Sequence, residues 1–397
     1  MTDRASLRRV LQVHTRYRHL GGEDAVVEAE RRLLEDAGVE VDQVLFDNAT
    51  LREGRSPLGD LQLAAAAVWS PAAAGRVRHA IARARPDIVH VHNTFPAASP
   101  AVFSACVAAQ VPAVWTQHNY RLFCPAATAF RNGRECTDCL RLLVPWPAVA
   151  HACVRHSRGQ SLAAGATTTL NRLTGTIPGR IAMALALTPF QRSLLVDAGY
   201  PSQWIRVVPN FLEPDPGTGG KVRRQVVFVG RLSPEKGIDA LCRSARMARG
   251  AIRVIGDGPL EAKVHEAAAD GTLVHLGRLD PGAVRNELRL ASAVVLPSVW
   301  YEGFPLVVLE AFASATPIIA SRIGSLADIV EDGETGWFVD PGDADALARR
   351  IRWVLEHPDV ARRAGERARE RYERLYRGPQ HLAALTEAYA AAAERAA

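Results

Sequence analysis

The sequence predicts an α/β protein with two Rossmann-like domains, each built around a parallel sheet. Short apolar runs alternate with helical patterns along most of the chain, which is typical of parallel strands joined by helices. In the second half, several runs lead directly into glycine-containing turns, where open α/β sheets bind ligands. The length of 397 residues, 48% hydrophobic and 23% charged, fits two such domains.

The predicted strands of the first half are separated by helices such as 23–37, and they span 10–13, 39–46, 88–91, 113–116 and 181–187. Proline and glycine crowd residues 209–220, where periodicity is lost, so we place the domain junction there. A second series has strands at 225–230, 252–255, 273–276, 293–296 and 317–320 and helices beginning at 237, 260 and 306. The chain then closes with helices at 344–356, 360–375 and 381–397.

Charge and hydropathy favour a soluble enzyme over a nucleic-acid-binding protein. The formal charge is +6 and the pI is near 9.2. However, arginine and glutamate are interspersed along helix faces such as 362–374, as on solvated surfaces. No signal-peptide pattern opens the chain, and the apolar stretch 61–75 is shorter than the ~20 residues of a membrane span. We therefore expect a cytoplasmic protein.

The first motif with chemical potential is Val-Gly-Arg-Leu-Ser-Pro-Glu-Lys-Gly at 229–237. It follows a predicted strand and precedes a predicted helix, so Arg231 and Lys236 fall on a loop at the carboxyl end of the sheet. Two cations there could neutralise the charge that grows on a leaving diphosphate. The alternative is that both are ordinary surface cations. Lysine is scarce in the sequence, which favours a chemical role for Lys236.

The second motif is Glu-Gly-Phe-Pro-Leu-Val-Val-Leu-Glu at 302–310. It places Glu302 in a loop and Glu310 about one and a half turns inside the following helix. The backbone N–H groups at the helix start and the helix dipole together form an anion-binding site. The N–H groups that would bind the anion belong to Gly303, Phe304 and Leu306, and Pro305 near the helix start fits this geometry.

These two motifs and the Gly-Asp-Gly-Pro-Leu turn at 256–260 resemble, in order and spacing, the family 4 (group 1) retaining glycosyltransferases of the GT-B fold. The resemblance covers nearly the whole chain. It implies two Rossmann-like domains facing each other across a cleft: an acceptor-side domain over 1–210 and a nucleotide-sugar-binding domain over 221–375. It also implies a C-terminal helix, 376–397, that packs back on the first domain.

Site residues follow from the resemblance position by position. It implies that Arg231 and Lys236 bind the donor diphosphate, that Glu302 contacts the transferred sugar, and that Glu310 accepts hydrogen bonds from the ribose. Other donor contacts would come from Gly21, Gly22, Gly230, Gly256 and Leu279, the last near the base. His118 matches the active-site histidine of the family. One or both of His90 and His92 are interpreted as structural histidines at a strand end, satisfied by backbone groups, in preference to a direct catalytic role.

The resemblance also implies transfer with retention from a UDP- or GDP-type sugar to a hydroxyl of a glycan, a lipid-linked acceptor or a small molecule. A carboxylate nucleophile would need paired carboxylates about 5 Å apart, and the sequence offers no convincing second candidate. We therefore expect front-face transfer and no catalytic metal, because Arg231 and Lys236 would neutralise the leaving group.

Four cysteines, Cys124, Cys136, Cys139 and Cys153, fall in or near an insertion at 119–158. The Cys-x-x-Cys spacing predicts either a structural zinc site, with an iron–sulfur cluster as a variant, or reduced buried cysteines. The insertion also contains the apolar segment 142–146 near Arg141, Arg155 and Arg158. That segment is either a folded loop or a place of peripheral contact with the inner face of a membrane. The oligomeric state is not predicted.

Two other functions compete with the main interpretation. A protein of the same fold could bind a sugar nucleotide without catalysis, although Arg231, Lys236, Glu302 and Glu310 are all present. A Rossmann oxidoreductase or epimerase should show Gly-x-Gly-x-x-Gly after its first strand. The corresponding segment, His-Leu-Gly-Gly-Glu at 19–23, does not fit that pattern.

Overall fold

The computed structural model describes residues 7–17, 21–48, 64–175, 179–219, 225–248 and 250–396. The chain divides into two compact units. The first unit comprises Met1–Ala129, Thr137–Pro209 and His381–Ala397, and the second comprises Phe130–Cys136 and Asn210–Gln380. The short segment Phe130–Cys136 thus belongs to the second unit, which no sequence pattern predicts.

The first unit contains a six-stranded parallel sheet with the order β2-β1-β3-β4-β7-β8. Its strands are β1 (Arg9–Arg16), β2 (Glu40–Asp47), β3 (Ile88–Val91), β4 (Ala113–Thr116), β7 (Met183–Ala186) and β8 (Ile205–Val207). The pair β5 (Phe130–Arg131) and β6 (Arg134–Glu135) forms a separate antiparallel hairpin. Strands β3, β4 and β7 are buried at every residue, as expected of a parallel sheet with helices on both faces.

Helices cover both faces of this sheet. They are α1 (Gly22–Asp36), α2 (Pro71–Ala84), α3 (Ala101–Ala108), α4 (Trp146–Ala150), α5 (Arg158–Leu173), α6 (Pro189–Asp197) and, from the chain end, a last helix over Gly378–Ala396. The last helix inserts Leu385 and Tyr389 into the same apolar cluster as Val10 and Ile88 of the sheet. It therefore completes the layer on one face of the first unit.

The second unit contains another six-stranded parallel sheet, with the order β11-β10-β9-β12-β13-β14. Its strands are β9 (Val226–Val229), β10 (Ile252–Ile255), β11 (Val274–His275), β12 (Ala293–Leu296), β13 (Ile318–Ser321) and β14 (Gly336–Val339). The order is that of a Rossmann sheet, and its direction of growth reverses between β9 and β12. Loops diverge at such a point and leave a crevice for a ligand.

The helices of the second unit are α7 (Ile238–Met247), α8 (Glu261–Ala269), α9 (Pro281–Leu290), α10 (Leu306–Ala313), α11 (Gly324–Ile329), α12 (Ala344–Glu356) and α13 (Pro358–Leu375). The last helix of the chain, Gly378–Ala396, follows them and is α14. Two parallel α/β sheets of this kind confirm the predicted fold class. Among the described residues, no helix combines the length and the apolar character needed to cross a bilayer.

The segment predicted as a junction is held against the second unit. Leu212 forms two hydrogen bonds with residues in and just after α13. Its N–H donates to the Tyr376 carbonyl at 3.1 Å, and its carbonyl accepts from the Tyr372 hydroxyl at 3.0 Å. Arg369 binds both carboxylate oxygens of Asp215 at 2.6 and 2.7 Å. Lack of periodicity in this stretch therefore reflects an ordered, irregular backbone and not a loose linker.

Candidate donor and sugar-contact sites

The loops that follow β9 and β12 form the centre of the candidate site in the second unit. The two strands are neighbours in the sheet, so both loops leave it at the same edge and at the point where the strand order reverses. The Val299 N–H donates to the Glu235 carbonyl at 3.0 Å, which joins the loops directly. Two motifs 66 positions apart in the chain thus meet at one place.

A buried ion pair joins these motifs. The Lys236 ammonium lies 2.8 Å from each carboxylate oxygen of Glu302, and the Ser298 hydroxyl donates to the same carboxylate at 2.6 Å. The Glu302 side chain is almost fully buried, whereas the Lys236 side chain is 23% exposed. Lys236 therefore has one side anchored by Glu302 and another that remains open to a ligand.

Arg231 lies on the same loop and is exposed. Within the described parts of the chain, no carboxylate or carbonyl pairs with its guanidinium. An arginine with unused donors suits the bidentate recognition of phosphate oxygens. The loop after β9 thus carries one anchored cation and one available cation.

Two glycines allow the loop after β9 to lie close to its neighbours, the loop after β12 and the loop after β10. A Cβ atom on Gly237, where φ is +73°, would lie 1.8 Å from the Pro297 carbonyl oxygen. A Cβ atom on Gly256, at φ +134°, would lie 2.0 Å from the Gly230 carbonyl oxygen. Because both obstacles are backbone atoms, a side chain at either position would force the loops apart.

The start of α10 lies beside this pair of loops. Pro305 precedes the helix, and no side chain caps it, so N–H groups of its first turn remain available to an anion. The Phe304 carbonyl accepts from the Asn210 side chain at 3.1 Å, which fixes the peptide before Pro305. Sequence reasoning missed Asn210, whose position in the Pro/Gly-rich segment 209–220 hid this role.

Glu310 lies on α10, five residues from its start. Burial raises the pKa of Glu310, and the nearby Arg285 cation lowers it by a smaller amount. Of the residues that the structure describes, none donates a hydrogen bond to this carboxyl group. A half-buried acceptor without a donor is suited to vicinal hydroxyls of a ligand. Leu279 lies one loop away, after Gly277, whose carbonyl accepts from the Gly256 N–H at 2.8 Å.

In the first unit, the candidate residues follow β1, β3 and β4 at one edge of the sheet. Gly21 is the residue before α1, and among the described residues other than its chain neighbours the atom nearest to a Cβ there would be the Asp24 carboxylate oxygen, at 4.0 Å. Its N–H donates to that oxygen at 2.9 Å. Gly21 has an extended backbone that any residue could adopt. The lack of a side chain therefore matters for the open space in front of Gly21 and not for its backbone conformation.

His118 ends a buried chain of imidazoles. Its Nε2 lies 3.0 Å from His92 Nδ1, and His92 Nε2 lies 3.4 Å from the Glu30 carboxylate. Burial lowers the pKa of His118 well below its ordinary value and that of His92 to about 4, so both rings are neutral at neutral pH.

The carboxylate decides the tautomers of these rings. Burial alone would raise the pKa of Glu30, but the facing histidines and their hydrogen bonds hold it well below its ordinary value, so the group is ionised. An ionised Glu30 favours a proton on His92 Nε2 by electrostatic attraction across 3.4 Å, although the two atoms do not form a hydrogen bond. With that tautomer, His92 Nδ1 accepts from His118 Nε2. The remaining His118 nitrogen, Nδ1, is then a hydrogen-bond acceptor.

His90 is also satisfied by side chains. Its Nε2 lies 2.7 Å from the Thr116 hydroxyl, and its Nδ1 lies 2.8 Å from the Tyr389 hydroxyl and 2.9 Å from Glu30. The prediction that backbone groups satisfy His90 and His92 is therefore wrong. Glu30 and Tyr389 come from the first and last helices of the chain, so no local pattern could have revealed them.

Glu23, at the start of α1, is a second residue that sequence reasoning missed. One of its oxygens accepts from the Tyr17 hydroxyl at 2.9 Å. The other lies 4.0 Å from His14 Nδ1, and neither of these two buried atoms has a hydrogen-bond partner among the described residues. Burial raises the pKa of Glu23 to about 8, so near neutrality it can both hold and release a proton.

Replacing Glu23 with glutamine should flatten the pH dependence of stability. The folded state keeps a proton that the unfolded state releases, so the free energy of unfolding falls as pH rises from the ordinary glutamate pKa towards about 8. Glu23→Gln removes this dependence and should be more stable than the parent chain above that pH. Urea unfolding across the pH range measures it, with the exposed Glu35→Gln of the same helix as control. Parallel curves for parent and Glu23→Gln would contradict the assignment.

The cysteines do not form the expected metal site. Among the described residues, two groups of side chains bring three ligand atoms within 4.8 Å of one another, Glu30 with His90 and His92, and Glu261 with His265 and His275. Neither group contains Cys124, Cys136, Cys139 or Cys153. The predicted structural zinc site is therefore not supported. The Cys-x-x-Cys spacing was misleading because Cys136 groups with the second unit and Cys139 with the first, and Cys139 is buried whereas Cys136 is not.

Two family models match this chain. The model described as Glycosyl transferases group 1 matches residues 218–371, and the model described as Glycosyltransferase Family 4 matches residues 20–216. The matches follow one another and between them account for most of both units. The chain belongs to this glycosyltransferase family. The resemblance inferred from the motifs at 229–237 and 302–310 is thereby confirmed.

Curated members of the family match only part of this chain. The glycogen synthase of Mycobacterium tuberculosis is 36% identical over 156 residues, 37% of each chain. The D-rhamnosyltransferase WbpZ of Pseudomonas aeruginosa is 35% identical over 158 residues, 38% of this chain and 42% of its own length. The chain thus matches less than half the length of these glycosyltransferases.

Solved structures match over nearly the full length. Sucrose-phosphate synthase from Thermosynechococcus elongatus has a TM-score of 0.69 at 19% identity, covering 96% of this chain and 98% of that chain. Anabaena HepE in complex with UDP has a TM-score of 0.67 at 16% identity, with the same coverage. At such identities the similarity establishes the GT-B fold of this family member and nothing finer.

Proposed function

We propose that this glycosyltransferase moves a sugar, with retention of configuration, from a nucleoside-diphosphate donor to a hydroxyl group of a glycan, a lipid-linked acceptor or a small molecule. The observation that carries the proposal is the pairing of Lys236 with Glu302 beside the exposed Arg231. These groups lie where the second sheet reverses its strand order, next to the uncapped start of α10. Both the two cations and the uncapped helix start attract phosphate.

The donor contacts follow from this arrangement. Arg231 and Lys236 would bind the diphosphate, with the backbone at Gly303, Phe304 and Leu306 beside it. Glu310 would accept hydrogen bonds from the ribose, and Leu279 would contact the base. We favour a uracil or guanine nucleotide; UDP is what HepE carries in its solved complexes. Gly21 and Gly22 would let the backbone of the first unit approach a phosphate.

The roles of the two carboxylates differ. Glu302 holds the Lys236 ammonium and would contact hydroxyls of the transferred sugar. In the first unit, we assign a sugar contact to His118, whose Nδ1 would accept a hydrogen bond from a sugar hydroxyl. Glu30 and His92 would act as positioning residues, because they set the tautomer of His118.

Bond making and breaking need no protein nucleophile in this proposal. The bond from the anomeric carbon to the leaving diphosphate breaks as the acceptor oxygen approaches on the same face. The acceptor proton passes to the leaving phosphate, and Arg231 and Lys236 stabilise the charge left on the diphosphate. This electrostatic role also makes a divalent metal unnecessary.

A thermal-shift screen of nucleotide sugars tests the donor site. A matching donor should stabilise the native chain by about 3 kcal/mol at a hundredfold excess over its dissociation constant, and Arg231→Ala should abolish that shift. Arg363→Ala, an exposed arginine on α13, serves as the control and should keep it.

The donor found in this way should then be tested for transfer. With an acceptor panel, NMR of the product should show the same anomeric configuration as the donor. An inverted product, or a sugar trapped covalently on a carboxylate, would refute the mechanism. Binding of the donor with no transfer to any acceptor would favour the non-catalytic alternative.

A further inference from the structure

A large apolar surface lies on the first unit, away from the residues discussed so far. Helix α5 exposes a stripe that contains Leu162, 61% exposed, and Leu173, 65% exposed. The segment before α4 adds Leu143 and Val144, and the first residue of α4 adds Trp146; these three are 51 to 62% exposed. These five account for half of the ten large apolar side chains that are exposed among the described residues. We call this surface the α4–α5 patch.

The patch is continuous because α4 and α5 pack side by side. Val144, Pro145 and Val149 line one wall of a groove of about 390 Å³, and Leu162, Ala166 and Leu173 line the other. The α5 residues are spaced by four and seven positions, so they share one face of the helix. A soluble helix normally turns such a face to the core, and here it faces outwards.

The sequence segment that carries the patch has charge of one sign, although its Arg141 pairs with Asp197 just beyond the segment at 2.7 Å. From Cys139 to Val196 the sequence contains six arginines and not a single aspartate or glutamate in 58 residues. The whole chain has 42 acidic residues among 397, so a stretch of this length would on average contain about six. The absence of acid is therefore a marked local departure from the composition of the chain.

Two of these arginines stand at the end of the apolar stripe. Arg158 is the first residue of α5, one turn before Leu162, and Arg155 lies in the loop before it; both are exposed. Among the described residues, neither forms an ion pair. A cation at a helix N-terminus opposes the helix dipole, so Arg158 does not serve the stability of α5. An anionic partner would give it a favourable role.

We propose that the α4–α5 patch docks on the surface of a bilayer that contains anionic lipids. Leu162, Leu173 and Trp146 enter the boundary between headgroups and acyl chains, and Arg155 and Arg158 contact the lipid phosphates. Tryptophan suits this boundary because its ring is amphipathic. Docking of this kind would keep the first unit at a membrane and favour acceptors that are held there.

The charge pattern favours a lipid surface over a second copy of the chain. A two-fold contact would set the patch against itself and bring the arginines of both copies together. The stretch 139–196 offers no carboxylate to compensate for that repulsion. Anionic lipids, in contrast, supply the missing negative charge and take up the apolar stripe at the same time.

Vesicle flotation with the full chain tests the proposal without donor or acceptor, so its outcome is independent of the proposed transferase activity. The chain should float with vesicles of phosphatidylcholine mixed with phosphatidylglycerol, and more weakly with pure phosphatidylcholine. Added salt should weaken the binding. Arg155→Glu with Arg158→Glu, and separately Leu162→Ser with Leu173→Ser, should each reduce binding by more than about tenfold.

Matched controls separate this surface from general effects of charge or hydropathy. Arg363→Glu with Arg374→Glu removes two exposed arginines of α13, and Val107→Ser replaces an exposed apolar residue of the same unit. Both should float like the parent chain, and circular dichroism should show that every variant is folded. The proposal fails if the parent chain does not float, if either patch variant floats normally, or if sedimentation shows that the same substitutions break a dimer instead.

Discussion

Replacing Lys236 with methionine should lower the turnover of donor by a factor of about 10² to 10³, the usual effect of removing one preorganised charge from the transition state. The methionine side chain keeps the apolar contacts of the lysine stem and removes only the ammonium. Arg231→Ala should show a loss of similar size. Steady-state kinetics with the donor identified by thermal shift would measure both.

The two variants should differ in stability. Lys236→Met leaves the buried Glu302 carboxylate without its cation, which we expect to cost about 1–3 kcal/mol of unfolding free energy. Arg231 is exposed and has no partner among the described residues, so its removal should leave the unfolding free energy unchanged. Urea denaturation of both variants distinguishes the anchored cation from the available one.

A double variant separates the structural and chemical roles of Lys236. Lys236→Met with Glu302→Gln removes the buried charge together with its partner and should recover most of the lost stability. Turnover should stay low, because the cation is still missing. Lys263→Met, an exposed lysine that pairs with Asp239, is the matched control and should change neither quantity. If the double variant regained turnover, the assignment of Lys236 to the leaving diphosphate would be wrong.

Much of the fold could be predicted because the strands are short, buried and rich in aliphatic residues. The strands 88–91, 113–116, 252–255 and 293–296 were predicted with the bounds that the structure shows. Two edge strands, Ile205–Val207 and Gly336–Val339, were missed. Ile205–Val207 is only three residues long and two of them are half-buried, and Gly336–Val339 begins with a glycine directly after the polar stretch 331–335, so both patterns are weak.

The candidate site was predictable only where its residues are close in sequence. The loop with Arg231 and Lys236 and the loop with Glu302 could each be recognised from local spacing. The ion pair between Lys236 and Glu302 joins residues 66 positions apart, and the contact of Asn210 with Phe304 joins residues 94 positions apart. The contact between Glu30 and His92 likewise joins residues that are far apart in the sequence. Local patterns contain no information about such partners, and the failed zinc prediction shows that local spacing can also mislead.

Replacing Gly237 with alanine should disrupt the donor site and cost more than about 3 kcal/mol of unfolding free energy. Two effects add at this position. The backbone has a φ of +73°, where a Cβ atom is strained, and that atom would lie 1.8 Å from the Pro297 carbonyl oxygen. The loops after β9 and β12 would have to separate, and the bond from the Val299 N–H to the Glu235 carbonyl would be lost.

Gly271→Ala isolates the first effect. Gly271 has a φ of +65°, and apart from its chain neighbours no described residue has an atom within 4 Å of the position that its Cβ would take. Its substitution should cost only the backbone strain, about 1–2 kcal/mol, and leave nucleotide binding intact. Urea denaturation and a thermal shift with the matching nucleotide measure both variants. Because the two glycines share a backbone conformation, the excess loss in Gly237→Ala reports the close approach of the loops. Equal losses, with nucleotide binding retained in both, would mean that this approach is not needed to hold Lys236 and Glu302 in place.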